Sequence, residues 1–357
     1  MRYEKCGAYT VQPKRFNQMQ TKLARVVIAF SLLAFLIAPT RTYAASTAQI
    51  PVKIAVALEV GGLGDNSFND AVVNAARAVQ KKYKISDSYI RVVPTDGTPA
   101  DRFSRLKFLA KAGYGLIIAI GADYAPAIKR ATIEFPDVQY ALVNSSAVAG
   151  MNVSCLVFAE AEAAFIAGVV AATSSTTGKV AYVSDASESQ LRLYKSFKLG
   201  AAFGNRNVLT TSVPFTDSAI NLKNAIANGV DLIYSTRLVD GEVLNLVAKA
   251  NLKKRKVWLI AQSPDQYYAK LPTAKKEILV TLDKRIDHAI TDVITLALTG
   301  GSILGFVDET TSIYGKVYNF SNSGLNLSYL NPVTAATKTT VSRAIAQIKS
   351  GKVSTIG

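Results

Sequence analysis

Short apolar runs alternate with amphipathic segments along most of the chain. Ten runs rich in Val, Ile and Leu predict β-strands, and several are apolar at successive positions, as in 115–120. Continuous runs of this kind are typical of strands that are buried on both faces. The predicted strands are 52–58, 89–94, 115–120, 138–143, 153–158, 179–184, 208–214, 230–235, 256–261 and 278–282.

The segments between these runs carry helical periodicity. A repeated strand–helix order predicts parallel sheets with helices on both faces. The predicted helices are 67–83, 99–112, 124–134, 160–174, 189–203, 218–228, 240–251, 285–299 and a tail helix over 333–349.

The two halves of the chain look alike in outline, since each has a strand, a polar turn, a helix and further strand–helix repeats. We therefore expect an α/β fold of two doubly wound, Rossmann-like lobes joined by a hinge. The first lobe is predicted over 50–157 plus 284–318, and the second over 158–283 plus 319–357. Ligands of open α/β sheets bind at the carboxyl ends of the strands, so binding residues are expected in the turns that follow them.

Residues 1–44 are predicted to form a secretory signal peptide. An apolar run over 26–38 follows Lys22 and Arg25 and precedes the small-residue site Thr42-Tyr43-Ala44. The run is shorter than the about 20 residues that a membrane-spanning helix needs. We expect an exported protein, whose translation start is either Met1 or Met19.

The remaining chain is basic and offers few catalytic groups. Residues 45–357 hold 34 Lys and Arg against 24 Asp and Glu. The basic run 253–256 is interpreted as a solvated turn rather than a site for nucleic acid or lipid headgroups. His288 is the only histidine, and Cys155, in an apolar run, is predicted to be a buried structural thiol. With no nucleophile elbow, P-loop or metal-ligand spacing, we expect no enzyme, no cofactor, no metal and no nucleic-acid partner.

A glycine-rich turn, Gly61 to Asn69, links the first predicted strand to the first helix. Its Gly-x-x-Asp-x-Ser-Phe-Asn ending resembles the basic membrane protein (BMP), or PnrA-like, family of nucleoside-binding proteins of ABC importers. Thr281 to Asp287 is similar to a second family pattern, Ser-x-x-Lys-Arg-x-Asp, and the resemblance extends over about 52–320. It implies a type I periplasmic-binding-protein fold, hinge closure on a nucleoside-like ligand, and an ABC permease and ATPase as partners. We expect a monomer that associates with the membrane through this transporter.

The resemblance also implies individual ligand contacts. Phe68 and Phe215 would stack on the two faces of the base, with packing as the alternative for each. Asn69 would make a polar contact, with helix capping as the alternative, and Lys284 would bind the ribose. Aromatic faces suit a base, and ribose hydroxyls need acceptors and donors, because a buried polar group without a partner costs about 1–3 kcal/mol.

Several other family positions hold different residues here. Glu59 replaces an aspartate, Asn144 replaces another, and Ser263 replaces the first aspartate of a Gly-x-Asp-x-Asp-Gln stretch. The remaining expected ligand-binding residues are Asp240, in the loop that replaces a glycine-rich one, and Asp265, which matches. Carboxylates that would accept hydrogen bonds from the ribose are missing. The class of ligand therefore stays open between a nucleoside and a sugar or other polar solute bound by the same fold.

Two further questions stay open at this stage. An extracellular interaction protein with a degenerate cleft is an alternative of a different class, and a secreted nucleoside hydrolase is disfavoured by the depleted carboxylates. The residues after the signal peptide are Ala45, Ser46 and Thr47, without the lipid-anchoring cysteine usual in the resembling family. We expect a cell-surface or extracytoplasmic location, with the mode of anchoring undetermined.

Overall fold

Two six-stranded sheets form the framework of the protein. The structure is a computed structural model that describes residues 52–65, 67–184, 187–214, 218–236, 242–252, 256–264, 274–306 and 313–356. Both sheets are built from strand–helix repeats, as the alternating apolar and amphipathic segments predict.

The first sheet is entirely parallel, with the strand order β11-β5-β4-β3-β1-β2. Its central strands are buried at every position, which explains their unbroken apolar sequence. The strands are β1 (Ile54–Ala57), β2 (Ile90–Val93), β3 (Leu116–Ile120), β4 (Gln139–Val143), β5 (Val153–Phe158) and β11 (Gly315–Tyr318).

The second sheet has the order β12-β10-β9-β8-β6-β7, and all its pairs are parallel except that of β12 with β10. The antiparallel β12 forms one edge and begins beside the carboxyl end of β10, where Leu325 is the partner of Lys284. The strands are β6 (Lys179–Ser184), β7 (Leu209–Pro214), β8 (Leu232–Ser235), β9 (Trp258–Ser263), β10 (Ile278–Lys284) and β12 (Leu325–Tyr329).

Nine helices of more than one turn lie among the described residues. None of them combines the length and apolar character needed to cross a bilayer. They are α1 (Phe68–Tyr83), α2 (Pro99–Lys111), α3 (Ala125–Glu134), α4 (Glu160–Ser174), α5 (Glu188–Gly204), α6 (Ser218–Ala227), α7 (Glu242–Asn251), α8 (Ile286–Leu298) and α9 (Ala335–Lys349).

The predicted α/β fold with two parallel-rich sheets is confirmed. Each predicted strand and helix is present, and its ends lie within two residues of the predicted ones where the structure describes them. The sequence reading missed β11 and β12. Both are edge strands of four and five residues with only partial burial, so neither carries a long apolar run.

The chain passes between the two sheets at three places among the described residues. The connections run from β5 through α4 to β6, from β10 through α8 to β11, and from β11 directly to β12. Residues at the ends of β5 and β10 therefore lie where one lobe meets the other.

Helices α4 and α5 touch backbone to backbone. α4 is buried continuously from Ala163 to Ala172, and glycines face each other across the contact. A Cβ on Gly168 would stand 2.1 Å from the Phe197 carbonyl oxygen, and one on Gly200 would stand 1.8 Å from the Phe165 carbonyl oxygen. Only glycine fits at both positions, since these neighbours are main-chain atoms that cannot rotate away.

Substitution of Gly200→Ala tests this contact. We expect the free energy of unfolding to fall by more than about 3 kcal/mol, the upper end of ordinary overpacking, because the helices must separate. Leu199→Ala, at a 40% exposed position on the same helix, is the matched control and is expected to cost less than about 1 kcal/mol. Urea unfolding followed by circular dichroism measures both, and equal losses would contradict the contact.

Candidate functional site

Asp65 and Asn69 are among the side chains that hold the glycine-rich turn between β1 and α1. The Asp65 carboxylate accepts hydrogen bonds from the backbone amides of Ser67 (2.8 Å), Asn69 (3.1 Å) and Asp70 (3.2 Å). The Asn69 side chain, in a residue only 2% exposed, accepts from the Glu59 amide (2.9 Å) and donates to the Glu59 carbonyl (3.3 Å). Asp65 therefore caps α1, and Asn69 ties the end of β1 to the helix; the predicted ligand contact of Asn69 stays a prediction.

Glu59 forms an ion pair within the first lobe. Its Oε1 lies 2.5 Å from Nη2 of Arg102, a residue that is 5% exposed. Arg102 also donates to the Gly97 carbonyl (2.5 Å) and lies 3.3 Å from Asp123. The carboxylate that the sequence reading assigned to the ligand is thus neutralised by a buried arginine. Arg102 lies 43 residues farther along the chain, and no sequence motif points to it.

Lys284 brings predicted site residues from three elements together. It is the last residue of β10, and its side chain is 4% exposed. Its Nζ lies 3.5 Å from Oδ1 of Asn144, directly after β4, and 5.3 Å from the ring centroid of Phe68, the first residue of α1. An amide, a cation and an aromatic ring therefore converge where the chain passes from the second sheet to the first.

Glu160 completes this cluster and was missed by the sequence reading. Its Oε1 accepts a hydrogen bond from Lys284 Nζ at 2.7 Å. Glu160 is the first residue of α4, where a carboxylate also interacts favourably with the helix dipole. An acid two residues after a predicted strand is a visible signal, but its pairing with a lysine 124 residues away is not.

A polar groove of about 690 Å³ lies beside this cluster, between α1 and the ends of β9, β10 and β12. It is lined by Ser263 and Lys284 among the predicted site residues. On one wall stand Ser67, Asp70 and Asn74, and on the other Ser263, Asp283, Asn326 and Ser328. Side chains from both lobes thus face one open space rich in hydrogen-bonding groups.

Three predicted contacts, Phe215, Asp240 and Asp265, lie outside the described residues. Of the other chemistry-bearing residues, His288 Nε2 lies 2.7 Å from Arg285 Nη2, and Cys155 is fully buried as predicted. Burial raises the pKa of the Cys155 thiol. Within the described part of the chain, no group of three or more potential metal ligands comes together.

Comparison with known proteins identifies the family. Residues 52–340 match the model of the Bmp family, described as ABC transporter substrate-binding protein PnrA-like. The chain belongs to this family. The match covers both lobes, including the turn before α1 and the segment around Lys284, and confirms the resemblance read from those two motifs.

Relatives and solved structures agree with the family match. The ABC transporter nucleoside-binding protein BmpA of Lactococcus lactis is 24% identical over 355 residues, covering 92% of this chain and 97% of that protein. The CD4+ T-cell-stimulating antigen of Listeria monocytogenes is 28% identical over 270 residues, 69% of this chain and 74% of that protein. An ABC transporter solute-binding protein from Aeropyrum pernix superposes with a TM-score of 0.65 at 20% identity over 85% and 93% of the two chains. At this identity the superposition shows the fold alone, which is the predicted type I solute-binding fold.

Glu160 and Glu162 in α4 have pKa values shifted in opposite directions. Coulombic attraction to Lys284 lowers the pKa of Glu160. Burial raises the pKa of Glu162, although its carboxylate accepts a hydrogen bond from the Phe320 amide at 3.0 Å. The Glu160 contribution to stability is therefore complete above the ordinary pKa of about 4.3 and is lost as pH falls through the lowered value. The Glu162 contribution has the opposite pH dependence. It is complete below the ordinary pKa and is lost as pH rises through the raised value.

Substitution of Glu160→Gln is expected to lower the free energy of unfolding at neutral pH by about 1–2 kcal/mol. A fully buried pair would lose about 3–5 kcal/mol, but the Glu160 side chain is 36% exposed and water screens it. The matched variant Glu162→Gln keeps an acceptor for the Phe320 amide and is expected to preserve or raise stability at neutral pH. Urea unfolding between about pH 3 and 7 measures both variants. An unchanged acid response in Glu160→Gln would contradict the ion pair.

Proposed function

We propose that this protein is an exported, monomeric solute-binding protein that captures a nucleoside-like molecule between its lobes and delivers it to an ABC permease and its ATPase. The observation that carries the proposal is the convergence of Phe68, Asn144 and Lys284 at the passage between the two sheets. The family membership supports the transport role, and the relative described as nucleoside-binding supports the ligand class.

The chemistry of this cluster suits a molecule with an aromatic ring and hydroxyl groups. The Phe68 ring offers a flat apolar face for a base. Asn144 both donates and accepts hydrogen bonds, and Lys284 donates only. Ser263 lines the groove beside this cluster, together with Lys284. The ligand would therefore be stacked by one lobe and hydrogen-bonded by both.

Capture would proceed by hinge closure. Lys284 extends from the end of β10 in the second sheet to within 3.5 Å of Asn144, which follows β4 in the first sheet, next to one of the connections between the sheets. A ligand that contacts both walls of the groove binds the closed arrangement better than the open one. Its differential affinity for the two arrangements then shifts the population toward the closed state, which the transporter can recognise.

A receptor for a sugar or another polar solute is the second candidate. The polar lining of the groove favours it, and so does the engagement of Glu59 by Arg102. A receptor of this kind would have the same fold, hinge closure and transporter partners as a nucleoside receptor. The two candidates differ only in whether the Phe68 ring stacks on a base or on another part of a polar solute. No catalytic step is part of either proposal.

The decisive substitution is Phe68→Ala, measured by isothermal titration calorimetry against purine and pyrimidine nucleosides, free bases and monosaccharides. Loss of one base-stacking contact, worth about 1–3 kcal/mol, should weaken nucleoside binding about 5- to 150-fold. Phe108→Ala is the matched control, because Phe108 is 48% exposed in α2, lies outside the groove and has the Arg91 guanidinium over its ring.

Binding of nucleosides by the wild type and by Phe108→Ala, with loss in Phe68→Ala, supports the nucleoside proposal. Binding of monosaccharides alone transfers the proposal to the second candidate. Failure of the ligand-free wild type to bind any of these compounds would refute both and leave an extracellular interaction protein as the better explanation.

A further inference from the structure

Asp283 lies directly beside Ser263 at the carboxyl ends of two adjacent strands. β9 and β10 are parallel, and Asp283 and Ser263 are partners in their register. Partner residues in a parallel pair point to the same face of a sheet, and the strands lie about 4.8 Å apart. Both residues are half-buried and line the groove between the lobes. A carboxylate thus stands one strand away from the serine.

The Asp283 carboxylate is held in place by its neighbours in the second sheet. Thr281 Oγ1 donates to its Oδ1 at 2.6 Å, Asn326 Nδ2 donates to its Oδ2 at 3.3 Å, and Ser328 Oγ also donates to Oδ2. Thr281 and Ser328 are opposite each other in the β10–β12 pair, so the donors come from a rigid sheet. The carboxylate is therefore oriented before any ligand arrives.

This arrangement leaves acceptor capacity on the side of Oδ1. An ionised carboxylate accepts about four hydrogen bonds. Three donors reach Asp283 from the described residues, two of them at Oδ2 and one at Oδ1. A hydroxyl group in the groove can therefore bind Oδ1, and the Ser263 hydroxyl stands beside it to donate or accept a second hydrogen bond.

We propose that Asp283 supplies the carboxylate that position 263 lacks and determines specificity for a ligand carrying pentose hydroxyl groups. The inference rests on the proposed capture of a nucleoside-like molecule. It specifies that the second sheet binds the pentose of that molecule. The Asp283 carboxylate stands one strand nearer to β12 than position 263 does. The pentose accordingly binds nearer the edge of the second sheet, with its hydroxyls toward Asp283 and Ser263.

The test compares Asp283→Asn with the wild type, using calorimetry with adenosine, guanosine, inosine, uridine and cytidine, each paired with its 2′,3′-dideoxy counterpart. Asparagine keeps the shape of the side chain and removes its charge. A site built to hydrogen-bond a hydroxyl discriminates strongly against an analogue that lacks it. We expect Asp283→Asn to weaken ribonucleoside binding at least tenfold and dideoxynucleoside binding less than twofold.

Three further variants make the test specific. Asp87→Asn removes one negative charge outside the groove and should leave every affinity unchanged. The double variant Ser263→Asp with Asp283→Asn returns a carboxylate to position 263 and should recover most of the ribonucleoside affinity. Asp283→Glu keeps the charge but displaces it by one methylene, so its ribonucleoside preference should fall between wild type and Asp283→Asn, even if Asp283→Asn folds poorly.

The outcomes separate this inference from the proposed function. If the wild type binds ribonucleosides and Asp283→Asn weakens the ribo and dideoxy forms equally, or neither, the role of Asp283 is refuted while nucleoside capture stands. If both Asp283→Asn and Asp283→Glu keep the wild-type preference for ribonucleosides, it is refuted as well. If the wild type binds no nucleoside at all, the proposed function fails and this inference fails with it.

Discussion

The ion pair between Lys284 and Glu160 is the interaction on which the arrangement of the site depends. A lysine side chain that is 4% exposed needs a charged partner, because an unpaired ammonium in that position is strongly disfavoured. Glu160 provides it at 2.7 Å from the first turn of α4. The pair fixes the end of β10 against the start of α4, and from there Lys284 reaches Asn144 after β4 and Phe68 at the start of α1.

The periodicity of the sequence was sufficient to predict most of the fold. β3 and β4 are buried at nearly every position, and α4 is apolar on all sides because it lies between a sheet and two other helices, α5 and α9. The strands that escaped prediction, β11 and β12, are short edge strands. Their formation depends on pairing with β5 and β10, which are distant in the sequence, so local composition carries little information about them.

The candidate site was predictable only in part. The resemblance in two motifs led to Phe68 and Lys284, and the structure places their side chains within cation–π distance of each other. The motifs did not reveal which residues of this protein form hydrogen bonds or ion pairs with the predicted polar site residues. Arg102 engages Glu59, the backbone of Glu59 engages Asn69, and Glu160 engages Lys284. Each partner comes from a different element, and only the folded chain brings these residues together.

The glycine contact between α4 and α5 has a consequence for the proposed closure of the lobes. The two backbones touch at Gly168 and Gly200. Helix α4 is therefore packed tightly against α5, and it also packs on strands of the second sheet. Glu160 is the first residue of α4, and its carboxylate forms the ion pair with Lys284. In the proposed closure, the Lys284–Glu160 pair would stay with the second sheet, and Phe68 and Asn144 would change position relative to this pair.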